Sequence, residues 1–350
     1  EANGRWVEEA KITAPDPDND SGFGFSVDVD GNYLVVGAPL KANLGQHGAG
    51  KMYVFERTAA GWEVDNTFVI PGGDANDNFG YDVAITASGP LGVTTAVGAP
   101  YFDSTGKTDR GIIYLNWKNA QGQWYTDAHW PSDASAGAAY GWSVDIEGGV
   151  LAVGAPYHKP GATETGEAFI YTHNGTDWTQ AFRKIGSGGS ACGYAVSISG
   201  TAVAIGAPLA PYLPSETGGS VLLVRRNTGG SWGLFTHVTL PAGAAGPEQK
   251  FGMKVSLDGN RLMVGAPGGD FRANGAEMLL AQQPGTVYLF EQLQVNGSFV
   301  QVNRLQQPFP APTDLFGRAL ALYGGHYVIG MHKAWTGGLQ TGNFLIGAID

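Results

Sequence analysis

Phe23-Gly24-Phe25-Ser26-Val27-Asp28-Val29-Asp30 runs through a turn at Gly31-Asn32 into Tyr33-Leu34-Val35-Val36-Gly37-Ala38-Pro39. The first half alternates apolar and polar residues, the period of a strand with unlike faces. The second half is a continuous apolar run, as expected of a strand buried on both faces. Pro39 cannot donate to a ladder and closes it. The phrase then returns, from Phe79-Gly80 to Gly98-Ala99-Pro100, from Tyr140-Gly141 to Gly154-Ala155-Pro156, and from Cys192-Gly193 to Gly206-Ala207-Pro208. It returns again from Phe251-Gly252 to Gly265-Ala266-Pro267 and, altered, from Phe316-Gly317 to Gly330-Met331-His332. The openings are spaced by 56, 61, 52, 59 and 65 residues. A strand-built repeat of that length predicts an all-β propeller with one sheet per repeat.

Each repeat carries two further strands. A third recurs around Phe55, Tyr114, Phe169, Val221, Tyr288 and Phe344. A fourth opens with a glycine turn and a large aromatic at Trp62, Trp124, Trp178 and Trp232, with Phe299 in the fifth repeat. Such rings suit an outer strand, where they cover an otherwise exposed blade edge. The last repeat stops after its third strand. The chain opens with Gly4-Arg5-Trp6-Val7-Glu8-Glu9-Ala10-Lys11-Ile12, which reads as a fourth strand. The expectation is one six-bladed domain over residues 1–350, of four-stranded antiparallel blades, with residues 1–12 supplying the outer strand of the last blade.

This order of strands resembles the FG-GAP repeat family, the repeats of the integrin alpha-subunit propeller, and most closely those of bacterial and lower-eukaryotic extracellular proteins. Residues Trp6 through Phe55 follow it almost without gaps, and Gly-Ala-Pro keeps its place in five repeats. The resemblance implies an extracellular or cell-surface module that binds a partner and catalyses nothing. Integrin propellers have seven blades, against six here. Integrin repeats often bind calcium between strands one and two, through alternating Asp residues. The equivalent turns here, such as Asp30-Gly31-Asn32 and Glu147-Gly148-Gly149, lack three alternating carboxylates, so those sites do not carry over.

Composition narrows the partners. The net charge is -11 with only 15% charged residues, which is no footprint for nucleic acid. No apolar run reaches membrane-spanning length, so membrane insertion is not expected. Cys192 is the sole cysteine, read as a small buried hydrophobe. The chain begins at Glu without a leader-like segment, which suggests a processed or excised piece. Glycosylation-type sequons at Asn19, Asn174 and Asn296 lean weakly towards secretion.

Chemistry-bearing clusters are few. Asp16, Asp18 and Asp20 alternate and could chelate calcium, although Ser21 replaces the usual glycine; a solvated acidic turn is the plainer reading. The seven histidines have no metal-ligand spacing. No nucleophile elbow, phosphate loop or dinucleotide fingerprint stands in its required context.

Strand direction places the loops from strand two to three and from four to one on one face, where the long segments lie. That face collects Tyr101, Phe102, Arg110, Tyr157, His158, Tyr212, Phe271, Arg272 and Trp335. Exposed aromatic and Arg residues suit a recognition surface. The expected partner is a protein or a glycan on a cell surface or matrix. Sugar-stacking shelves at Tyr101, Tyr157 and Trp335 are the carbohydrate alternative, and a subunit of a surface filament or adhesin is a third. The residue after Gly-Ala-Pro changes from repeat to repeat, which favours one composite surface over six equivalent pockets.

Overall fold

In the computed structural model, the described residues are 6–104, 106–213, 216–240, 250–268, 270–271, 277–278, 285–293, 297–307, 315–331, 335–336, 339–340 and 342–349. They form a six-bladed β-propeller without a helix among them. Blade one comprises Ser26–Asp30, Tyr33–Ala38, Lys51–Thr58 and Gly61–Phe68, hydrogen-bonded in that order. Blade two comprises Val83–Gly89, Gly92–Ala99, Ile112–Lys118 and Trp124–His129, and blade three Ser143–Glu147, Val150–Ala155, Glu167–His173 and Trp178–Ile185. Blade four comprises Ala195–Ser199, Ala202–Ala207, Ser220–Arg226 and Trp232–Thr239, and blade five Lys254–Asp258, Arg261–Ala266, Thr286–Gln292 and Phe299–Leu305. Blade six has three strands among the described residues: Ala319–Tyr323, His326–Met331 and Asn343–Ala348.

The two halves of the repeated phrase are the inner and second strands, paired antiparallel in tight register, as Ser26 with Gly37 and Asp30 with Tyr33. The core lies between blades. One cluster joins Val35, Met52 and Val54 of blade one to Val83, Ile85 and Val97 of blade two; another joins Leu223 and Val238 of blade four to Val255, Leu257 and Tyr288 of blade five. The outer-strand aromatics pack between sheets as well as over edges. Trp124 stacks edge-on against Phe68 and donates its indole N–H to Asp65 at 2.9 Å.

Two devices repeat at each junction from blade one to blade six. The first is a close approach: a Cβ built on Gly37, Gly98, Gly154, Gly206 or Gly265 would fall on the carbonyl oxygen of the next blade's Gly80, Gly141, Gly193, Gly252 or Gly317. This is why Phe-Gly and Gly-Ala-Pro travel together. The second is a hydrogen bond from a backbone amide of each inner strand to a side chain of the preceding one. Ile85 donates to Asp28 at 2.8 Å, Val144 to Asp82 at 2.9 Å and Ile198 to Asp145 at 2.6 Å. Leu257 donates to Ser197 at 3.0 Å and Leu322 to Ser256 at 2.9 Å.

The expected closing strand differs from this pattern. Residues 6–12 pair with no strand, and residues 1–5 lie outside the described residues. Blade one holds the segment instead: Glu9 ion-pairs with Arg57, and Ile12 packs with Val36, Tyr53 and Phe55. Trp6 reaches blade six through an edge-on contact with His326, the ring centroids 5.7 Å apart.

Candidate ligand-binding site

The residue that follows each Phe-Gly stands at the mouth of the ring, where the inner strands begin. These residues are Phe25, Tyr81, Trp142, Tyr194, Met253 and Arg318. The first four form an unbroken aromatic chain. Phe25 and Tyr81 lie 5.1 Å apart, Tyr81 and Trp142 4.7 Å, and Trp142 and Tyr194 5.2 Å, with tilted planes. Tyr101 stands nearly perpendicular to Tyr81 and to Trp142 at 6.1 Å and 6.3 Å, and Tyr157 stands edge-on to Trp142 at 5.4 Å. All but Phe25 are part-buried, and Phe25 is exposed. The result is an aromatic cup on the face of the long loops.

Burial pushes the Tyr81 phenol well above its ordinary range, and the neighbouring hydroxyls of Tyr194, Tyr101 and Tyr157 push the same way; the charge of Arg318 opposes them. Burial likewise raises Tyr194 to about 12, with Arg318 opposing. The tyrosines are therefore neutral at physiological pH and present O–H groups beside flat apolar faces. Such a wall can stack on a ligand's C–H faces and also hydrogen-bond its polar groups.

Below the cup the inner strands carry acids. Burial raises Asp28 to about 6, its backbone hydrogen bonds opposing and the charges of Asp82 and Asp30 adding to the rise. Burial raises Asp145 to about 7, with the charge of Asp28 adding to it. These carboxyls are the acceptors that hold neighbouring blades together.

The residues expected on this face fall into three groups. Tyr101 and Tyr157 belong to the cup. Phe102 packs into the core between blades one and two. Arg110 is 9% exposed and lies over the Trp130 ring at 5.0 Å, so it props a loop. His158, at 1% exposure, is buried: its Nδ1 is 3.2 Å from Glu167, and Arg183 binds Glu167 through two nitrogens and Asp133 through a third. His158 thus belongs to a buried ionic cluster that ties two loops together, not to a binding face. The side chains of Tyr212, Phe271 and Trp335, and all of Arg272, lie outside the described residues.

The acidic run is occupied from within. Asp16 accepts hydrogen bonds from Tyr53 at 2.6 Å and Lys51 at 2.9 Å, and Lys41 stands within 3.8 Å of both Asp16 and Asp18. Partial burial pushes Asp16 up, but Tyr53 and the two lysines outweigh it and hold the carboxyl low. Asp20 takes a left-handed turn conformation, φ 61°. No trio of potential metal ligands assembles among the described residues. Cys192 is fully buried, and burial pushes its thiol up to about 12.

Sequence reasoning sorted residues by loop and so missed Tyr81, Trp142 and Tyr194. The signal was available: the position after Phe-Gly is aromatic in four repeats, while the positions around it keep to the scaffold's pattern.

Blades repeated in tandem around a mouth lined with aromatic rings define a β-propeller. The repeat is of the FG-GAP kind: the FG-GAP repeat model matches residues 6–55 and 130–171, so the chain carries FG-GAP repeats in both stretches. No curated protein matches the chain. Among solved structures, a functionally unknown protein from Desulfotomaculum acetoxidans DSM 771 has a TM-score of 0.51 at 12% identity, over 91% of this chain and 86% of that one. The periplasmic gluconolactonase PpgL of Pseudomonas aeruginosa has a TM-score of 0.51 at 13% identity, over 95% of this chain and 90% of that one. At such identities the likeness is one of fold.

Proposed function

We propose that this chain is an extracellular, non-enzymatic recognition module that takes its ligand in the aromatic cup, the partner being a protein or glycan of a cell surface or matrix. The observation that carries the reading is the continuous ring-to-ring chain Phe25, Tyr81, Trp142 and Tyr194, flanked by Tyr101 and Tyr157. Met253 and Arg318 hold the same position in blades five and six, so the repeat does not itself demand a ring there. Six rings gathered there, several with neutral hydroxyls, exceed what the scaffold requires and match the composition of binding hot spots. The FG-GAP repeats support an extracellular setting. Lactone hydrolysis is the activity of a fold neighbour and is the competing assignment.

The test is to screen the intact chain against a glycan array and a panel of purified cell-surface and matrix proteins, and to assay it on glucono-lactone. Binding that is lost in Tyr81→Ala and Trp142→Ala supports the proposal. Binding indifferent to both substitutions, or lactone turnover by the chain, overturns it.

A further inference from the structure

The face opposite the aromatic cup carries the turns from inner to second strand and from third to outer strand. Where blades four and five meet on that face, a cleft of about 1100 Å³ opens, the upper end of the size of small-ligand sites. Blade four contributes Ser199, Arg225, Arg226 and Asn227 to its lining, and blade five Asn260 and Gln292. No Asp or Glu is among the described residues of that lining, although acids outnumber bases by 31 to 20 in the chain.

Arg225 is held from two directions. Its guanidinium lies over the Phe235 ring at 4.2 Å, and its Nη2 donates to Gln292 Oε1 at 2.8 Å. Gln292 is buried and is itself fixed, since its Nε2 donates to the Gly297 carbonyl at 2.7 Å. The positive charge of Arg225 is thereby kept in one place at the cleft wall. Exposed Arg226 is anchored at its base, where Nε donates to the Gly230 carbonyl at 3.1 Å. Its two terminal nitrogens have the spacing that meets a carboxylate in bidentate fashion. The acceptors of the lining are engaged within the protein: Ser199 Oγ accepts from the Gly259 amide at 2.9 Å, and Asn227 Oδ1 from the Ser231 amide at 3.0 Å. What Ser199 and Asn227 still offer a ligand is donors, a hydroxyl proton and an amide NH2.

The packing of a blade junction does not demand this charge. In strand register, the counterparts of Arg225 and Gln292 at the junction of blades one and two are Glu56 and Lys118. Lys118 ion-pairs with Glu56 and with Asp65, each at 2.9 Å. That corner is closed and charge-balanced. Between blades four and five an arginine replaces the acid and a neutral amide replaces the lysine.

We propose that this cleft is a binding site for a uronic-acid saccharide. The sugar carboxylate lies on the terminal nitrogens of Arg226 beside the charge of Arg225, and ring oxygens accept from Ser199 and Asn227. Donors on short hydroxyl and amide side chains, spread across the cleft, suit the many acceptor oxygens of a sugar. The site shares no residue with the cup and stands or falls separately from it.

The experiment titrates the intact chain with trigalacturonate, with the methyl ester of that trimer and with inorganic sulfate, following backbone amide resonances. Trigalacturonate is expected to shift the amides of Arg226, Ser231 and Gly259. The neutral ester is expected to bind more weakly by about tenfold or more, the scale of one charge-assisted contact. Arg225→Gln and Arg226→Gln should each weaken the trimer by a similar factor, and Arg226→Lys should recover only part. Arg226 is exposed, so its variants report on the site even if Arg225→Gln fails to fold. Equal binding of trimer and ester, indifference to Arg226→Gln, shifts confined to Tyr81 and Trp142, or no saturable binding at millimolar concentration each overturns the proposal. Sulfate that displaces the trimer mole for mole would mark an adventitious ion only, and overturns it as well.

Discussion

The amide of Ile198 donates to Asp145 Oδ2 across 2.6 Å, from the inner strand of blade four to that of blade three. The carboxyl that makes this bond sits inside the ring, where burial first, and then the charge of Asp28, raise its pKa to about 7. A carboxyl raised on folding binds a proton more tightly in the folded state. Its contribution is therefore most favourable below the unfolded value of about 4 and is lost as pH rises through about 7. Asp28, raised to about 6, acts in the same direction. The melting temperature is expected to climb as pH falls from 8 to 5, and Asp145→Asn to flatten that climb. Calorimetry across that range checks it; a melting temperature that falls steadily towards pH 5 contradicts it.

The Gly98 Cα faces the carbonyl of Gly141 with no space for a side chain. Gly98→Ala forces blades two and three apart and is expected to cost about 1–3 kcal/mol, the usual range for overpacking. Gly330→Ala meets only Ala319 of its own blade and is expected to cost under about 1 kcal/mol, within the range of a mild substitution. Urea unfolding of the two variants gives the comparison.

Arg183 supplies the countercharge to Glu167, which is 0% exposed. Removing one partner strands a buried charge. Arg183→Ala is expected to destabilise by about 2–4 kcal/mol, discounted slightly because the arginine itself is partly exposed. Arg183→Lys should recover only part of this, since one ammonium cannot reproduce the bidentate contact. A stability difference below about 0.5 kcal/mol for Arg183→Ala, the size of an ordinary surface effect, would show that the cluster is not structural.

Calcium and chelator should leave the melting temperature unchanged, because Lys51, Lys41 and Tyr53 already satisfy Asp16. A calcium-dependent rise would show that the ion displaces these lysines.

Much of the fold was legible in the chain because local and long-range demands coincide. Gly37 is required both by its own strand ending and by Gly80 of the next blade, so the repeat spells out the junctions. Val27 and Val29 alternate with Ser26, Asp28 and Asp30 because the other face of that strand holds side chains that hydrogen-bond the next blade. The site was less legible. His158 and Arg110 carry the chemistry of a binding face, but burial, which sequence composition does not reveal, assigns them to loop anchoring. Tyr101 and Tyr157 were legible as loop residues because they follow Gly-Ala-Pro. Trp142 was hidden inside the repeated phrase, where a ring reads as scaffold until neighbouring blades show four rings in contact. The placement of residues 6–12 was hidden for a similar reason: they have the pattern of an outer strand, but pattern does not say which sheet receives it.

The most direct measurement of the cup's role is the affinity of the intact chain for its best array or panel ligand, compared with that of Trp142→Ala at matched thermal stability. Loss of the ring at the centre of the chain of contacts is expected to weaken binding about 30-fold or more, a hot-spot effect of about 2 kcal/mol. An affinity unchanged within twofold by Trp142→Ala and by Tyr81→Ala would place recognition elsewhere on the propeller.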